Sequence, residues 1–150
     1  MNYFPHYPNR KWQNLDGVWS FGFLGTDAPG LEQITAVNVE CPELMPVPGC
    51  FDSAIKYAGV RGVGLYRREV KTAANASLQL NVGALGLRGR ILWDRKEIAV
   101  NELPYSFQKY FFNAGDGENH TLEILIDNRF NFKDTPLFSP FYDFYGYGGV

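Results

Sequence analysis

The segment LRGRILWDRKEIAV, residues 87–100, decides how the rest of this chain is read. Leu87, Ile91 and Trp93 fall on one side of an alternating run, with Arg88 and Arg90 on the other. A tight polar turn, Asp94-Arg95-Lys96, follows, and Ile98 and Val100 then resume the alternation. Period two on both sides of a short turn predicts an antiparallel hairpin with one apolar face.

The same period recurs along the chain. GVWSFGFL (17–24) aligns Trp19, Phe21 and Phe23, with Ser20 and Gly22 opposite. LYRREV (65–70) sets Tyr66 and Val70 on one side with Arg68 between them, and Leu65, Arg67 and Glu69 on the other. LQLNV (78–82) aligns Leu78, Leu80 and Val82, and TLEILID (121–127) aligns Leu122, Ile124 and Ile126. Between these runs lie the Pro-, Gly-, Asn- and Asp-rich clusters GTDAPG, MPVPG, YAGVRGVG and TAANAS, and no apolar 3.6-residue repeat is sustained. About seven or eight short strands with this punctuation predict one all-β domain over residues 1–150, an antiparallel β-sandwich or jelly roll.

Composition narrows the class further. The 150 residues are 45% hydrophobic and 16% aromatic, which excludes a disordered chain. A formal charge of −2 supplies neither a basic footprint for nucleic acid nor a polybasic membrane patch. No apolar run reaches the roughly 18 residues of a membrane span, and MNYFPHYPNRKW lacks the apolar core of a secretory signal. A soluble protein is therefore expected, cytoplasmic, or periplasmic or secreted had a signal been trimmed. Cys41 and Cys50 fit no metal or redox spacing and are expected as two buried or free thiols, a disulfide between them being the alternative. His6 and His120 are remote from both in sequence, so neither a metal nor another cofactor is expected.

Chemistry of the chain's own is not indicated. No G-x-S-x-G elbow occurs, and the glycines of GVRGVGLYR and GALGLRG lack the phosphate-cradling spacing. The close acid pairs Glu40/Glu43, Asp94/Glu97 and Asp116/Glu118 sit in or beside turns, where solvated carboxylates are common. Arg67, Arg68, Arg88 and Arg90 are expected on the solvated face of their strands. Two aromatic-rich stretches remain, LPYSFQKYFF (103–112) and LFSPFYDFYGYGG (137–149), the second enclosing a single acid, Asp143. Rings pack cores and interfaces. Rings around one carboxylate also suit a sugar, whose C–H faces lie on the rings and whose hydroxyls donate to the acid.

Five segments in order carry a resemblance: LDGVWSFGF (15–23), PVPGCFDS (46–53), YAGVRGVGLYRREV (57–70), LEILIDNRFN (122–131) and YDFYGYGGV (142–150). From about Arg10 to Val150 the chain resembles the N-terminal sugar-binding domain of glycoside hydrolase family 2. It is most similar there to β-glucuronidases, with β-galactosidases as the wider neighbourhood. The resemblance implies a jelly-roll sandwich that precedes an immunoglobulin-like domain and a TIM barrel, both absent here. The barrel would hold both catalytic glutamates of a retaining β-glycosidase. No catalytic residue is therefore expected in this chain, which should be inactive alone.

DFYGYGG resembles the family loop whose aspartate binds hydroxyls of the terminal sugar, which assigns that role to Asp143. Phe144, Tyr145 and Tyr147 would pack the loop and its contact with the barrel, and Gly148 and Gly149 would allow a sharp turn. The family continues past these glycines, so the end at Val150 is expected to be a truncation. The implied partners are a terminal β-glucuronide or β-galactoside and the remaining domains of the same enzyme, whose assembly as a homo-oligomer stays open. VNELPYSF (100–107) departs from the family's Gly-Gly-Tyr segment, and no site residue is taken from it. A free-standing carbohydrate-binding module and a structural sandwich mediating assembly are the competing readings.

Overall fold

The computed structural model describes residues 10–35, 38–101, 103–130 and 146–150. Among the described residues eight strands form in chain order: β1 (Gly17–Gly25), β2 (Glu43–Val47), β3 (Val63–Lys71), β4 (Ser77–Val82), β5 (Arg88–Trp93), β6 (Lys96–Asn101), β7 (Gln108–Asn113) and β8 (Asn119–Asp127). Six of them make one sheet in the order β2-β1-β3-β8-β5-β6, and β4 pairs with β7 in a second, two-stranded sheet. Every pairing is antiparallel. Consecutive strands cross between the sheets at β3–β4, β4–β5, β6–β7 and β7–β8, so the chain is a jelly-roll β-sandwich, as expected.

The alternation explains the register. Phe21 lies opposite Tyr66, Tyr66 opposite Ile124, and Ile124 opposite Ile91, a row that spans four strands. All four are between 0% and 2% exposed. Burying such a side chain contributes about 1.5–3 kcal/mol, whereas an exposed ion pair contributes about 0–1 kcal/mol. The inner row therefore outweighs the charge pattern in fixing which residues pair. Leu78, Leu80, Val82, Tyr110 and Phe112 close the core from the small sheet.

Three expectations are revised. First, β2 was read as turn punctuation and β7 as an aromatic stretch. In β2, Pro46 is tolerated because the strand is the sheet's edge, while Met45 and Val47 are buried. Second, a bulge between Ile91 and Leu92 of β5 and their β6 partners breaks the alternation after Ile98. Ile98 and Ala99 both pack on the core, and Val100 turns outward opposite Arg90 at 51% exposure.

Third, the arginines are not on a solvated face. Leu31, Ile34, Val63, Leu65, Leu92 and Leu125 form a second apolar cluster on the outer side of the large sheet. Leu31 and Ile34 come from the segment between β1 and β2, which covers that side. Beneath it, Arg67 pairs with Glu123 at 2.6 Å, the Glu123 side chain being 1% exposed. Arg88 pairs with Asp127, and Arg90 donates to Leu31 O and Ile34 O as well as to Glu97. Arg68 lies over the Trp19 ring and donates to Leu15 O. Both thiols are free.

Candidate functional site

Asp143, together with Phe144 and Tyr145, lies outside the described residues. The points where its segment leaves and rejoins the fold are described, and they meet. Strand β8 ends at Asp127, and Asn128 follows, fully buried. Its Oδ1 accepts from Gly62 N at 2.8 Å, and its Nδ2 donates to Asp52 Oδ2 at 3.0 Å. Asp52, 3% exposed, also accepts from Gly148 N at 3.2 Å. One buried carboxylate thus joins the strand end to the returning chain, and both groups are hydrogen-bonded, as burial requires.

Arg61 makes a second tie. Its Nη1 donates to Asn128 O at 2.8 Å and to Gly146 O at 3.1 Å, and its guanidinium lies 4.0 Å from the centre of the Phe130 ring. A planar cation suits this arrangement because it can stack on a ring while its edge donates. Beyond Gly146 the chain threads between two loops. Phe51 N donates to Gly148 O, Gly86 N to Gly149 O, and Gly49 and Val150 exchange both backbone hydrogen bonds.

The glycines serve this threading differently from expectation. A β-carbon on Gly148 would lie 2.4 Å from Phe51 Cε1, and one on Gly149 2.0 Å from Gly49 O. They permit close approach, and the left-handed turn falls instead at Gly146, with φ +70°. Tyr147, half exposed, accepts through its carbonyl from the Tyr105 hydroxyl at 3.0 Å. Tyr105 itself has φ +55°, a strained conformation for a bulky residue, and Tyr105 N donates to Leu85 O.

Three acids of the close pairs, Glu43, Asp94 and Glu97, are drawn into local contacts. Glu43 accepts from Lys56 at 2.6 Å and from the Tyr57 hydroxyl, and these two hydrogen bonds hold its carboxyl below the usual range. Asp94 accepts from His120 and from Thr121 N, and Glu97 from Arg90. Among the described residues no cluster of His, Cys, Asp and Glu is placed to hold a metal. A cavity of about 530 Å³ lies between the sheets, lined by Trp19, Val47, Leu80, Val82, Leu122 and Ile124 among others. Its mainly apolar walls offer little to orient a sugar's hydroxyls.

Sequence reasoning proposed Asp143, which lies outside the described residues, and gave no role to Arg61, Asp52 or Asn128. Asp52, Arg61 and Asn128 stand inside the segments PVPGCFDS, YAGVRGVGLYRREV and LEILIDNRFN, where none of them was singled out. An amide side chain directly after a buried strand was the available signal, since a buried strand end needs polar partners.

No family model matches the chain, and no curated protein does. Solved structures do. The chain is similar to the β-glucuronidase of Ruminococcus gnavus, at 24% identity and a TM-score of 0.70, over 91% of this chain and 27% of that one. An uncultured Clostridium sp. β-glucuronidase matches at 18% identity and a TM-score of 0.74, over 100% and 29%. A family 2 β-galacturonidase from Eisenbergiella tayi, bound to galacturonate, matches at 22% identity and a TM-score of 0.69, over 94% and 24%. The chain spans about a quarter of the length of these proteins. The likeness shows a shared fold.

Proposed function

We propose that this chain is a non-catalytic sugar-binding domain of a retaining family 2 β-glycosidase. In this reading Asp143 accepts hydrogen bonds from hydroxyls of a terminal β-linked sugar, while two carboxylates elsewhere in the enzyme cleave the bond through a covalent glycosyl-enzyme. The observation that carries it is the match of nearly this whole chain to about a quarter of two β-glucuronidases and a family 2 β-galacturonidase. Two further features support it. The described parts of the five sequence segments that resemble the family fall on β1, the end of β2 and the turn after it, β3 and the loop before it, β8, and the returning chain. The Asp143 segment also springs from a neck tied at both ends.

An ionised acid is suited to the task because charge-assisted hydrogen bonds are the strong kind, and two oxygens can hold adjacent hydroxyls. The sugar would be a glucuronide, a galactoside or, given the Eisenbergiella tayi neighbour, a galacturonide. The test is hydrolysis of chromogenic β-glucuronide, β-galactoside and β-galacturonide by the full gene product, beside this 150-residue chain. Activity is expected only in the full product. There, Asp143→Asn should lower kcat/KM about 10- to 100-fold, the effect of one or two hydrogen bonds to a charge, and leave Tm unchanged. Wild-type kcat/KM in that variant removes Asp143 from the site. Hydrolysis of none of the three overturns the enzyme reading in favour of a binding module or an assembly sandwich.

A further inference from the structure

We propose that the outer face of the small sheet is a binding platform for a carboxylate-bearing oligosaccharide, independent of Asp143. The aromatic stretch LPYSFQKYFF (103–112) carries it, because the alternation of β7 divides its rings. Tyr110 and Phe112 pack on the core, and the Tyr105 hydroxyl donates to Tyr147 O. Phe107 and Phe111 point outward, at 56% and 72% exposure. Packing accounts for the inward rings and gives the outward pair no role. Across the sheet, Gln79 of β4 lies opposite Phe111 and Asn81 opposite Lys109. Gln79 Nε2 donates to Asn81 Oδ1 at 2.7 Å, which orients both amides and leaves the Gln79 carbonyl and the Asn81 amide nitrogen for a ligand. Lys109 Nζ lies 5.6 Å from the centre of the Phe107 ring.

These groups match the two surfaces of a sugar. Its C–H faces lie on exposed rings, and its hydroxyls both donate and accept, as the two amides do. Phe107 and Phe111 are four positions apart, about 13 Å along an extended chain. That is farther than one sugar ring spans, so the ligand is a chain laid along β7. Lys109, between the rings, is the one charged residue among the outward positions of β4 and β7, and it favours a carboxylate on the ligand. An exposed cation contributes little, so the rings supply the affinity and Lys109 the preference. The dimensions argue against a protein partner. A six-residue strand is about 20 Å long and a strand pair about 10 Å wide, so the face covers roughly 200 Å². A standard protein interface takes about 800 Å² from each partner. One lysine on a chain of net charge −2 does not suit nucleic acid either.

The test titrates the isotope-labelled 150-residue chain with β-linked oligomannuronate and with oligogalacturonate, and with β-linked oligomannose as the neutral counterpart of the first. At least one uronate chain should bind, with amide shift changes concentrated in β4 and β7. Phe107→Ala and Phe111→Ala should each weaken that binding about tenfold, the effect of one stacked ring. Lys109→Met should weaken uronate binding about threefold and leave oligomannose binding unchanged. In about 1 M salt the advantage of the uronate over the neutral chain should vanish. All three side chains are exposed, so Tm should stay at its wild-type value. Asp143→Asn should bind as wild type does.

No binding of either uronate chain overturns the proposal. So do shift changes that fall elsewhere, or an affinity lost in Asp143→Asn and kept in Phe111→Ala, since both place the sugar off this face. Equal affinity for oligomannuronate and oligomannose overturns the selection of a carboxylate. Self-association of the chain that Phe111→Ala abolishes assigns the rings to a protein contact and overturns the platform. Should the alanine variants not fold, Lys109→Met is read alone, and wild-type affinity for the uronate chains overturns the proposal.

Discussion

His120 shows how one residue can be set aside by sequence spacing and explained by the fold. It is 2% exposed and stacks on Trp93 at 4.8 Å. Nδ1 lies 2.7 Å from Asp94 Oδ2 and Nε2 lies 2.9 Å from Gly117 O. Both partners only accept, so the doubly protonated ring satisfies both. The Asp94 hydrogen bond accordingly raises the His120 pKa above its ordinary 6.5, against the opposing effect of burial. A raised folded pKa means that the folded state binds the proton more tightly than the unfolded chain. The resulting stability is full below pH 6.5 and is lost as pH rises through the higher folded value. His120→Phe keeps the ring against Trp93 and removes the charge, so urea midpoints compared between pH 6 and pH 8 should lose much of their decline. An unaltered decline would show that His120 is not its source. The partner could not be found by motif, because Asp94 lies 26 residues away and approaches only through the antiparallel pairing.

Elements were legible wherever local alternation and turn chemistry agreed. The β5–β6 hairpin turns through Asp94 and Arg95, with φ +49° and +66°. Positive φ at both central residues matches the twist of the flanking strands and favours Asp-Gly. Arg95→Gly relieves a left-handed cost of about 1–2 kcal/mol, partly offset by the entropy glycine loses on folding, so a gain of about 0.5 kcal/mol and a slightly higher Tm are expected. A fall in Tm would mean that Arg95 contributes through its side chain. The bulge in β6 was not legible, since it reflects how Ile98 and Ala99 both reach the core. Nor was the Arg67–Glu123 pair, which faces a side of the sheet that alternation alone marks as polar. Arg67→Met leaves the Glu123 carboxylate buried with its charge unmatched, and should destabilise the fold by about 3 kcal/mol in urea titration. A loss below about 1 kcal/mol would place the pair among ordinary surface contacts.

At the scale of the whole molecule, the sandwich buries its large sheet on both faces, by the small sheet inside and by the segment between β1 and β2 outside. Strand β8 is therefore buried over nearly its full length, although its sequence alternates with Thr121 and Glu123. The sequence by itself determined the class of fold, the inner face of each long strand and one hairpin. These follow from period-two patterning and turn residues, which act over a few positions of the chain. It also singled out Asp143, through a motif and not through any contact. Only the tertiary structure decided that the arginines are covered, that β2 and β7 complete the sheets, and that Arg61, Asp52 and Asn128 form the neck of the Asp143 segment. Asp52 lies 76 residues from Asn128 and 96 from Gly148. Their pairing is enforced by the need of buried polar atoms for partners, and that need exists only once the chain has folded around them.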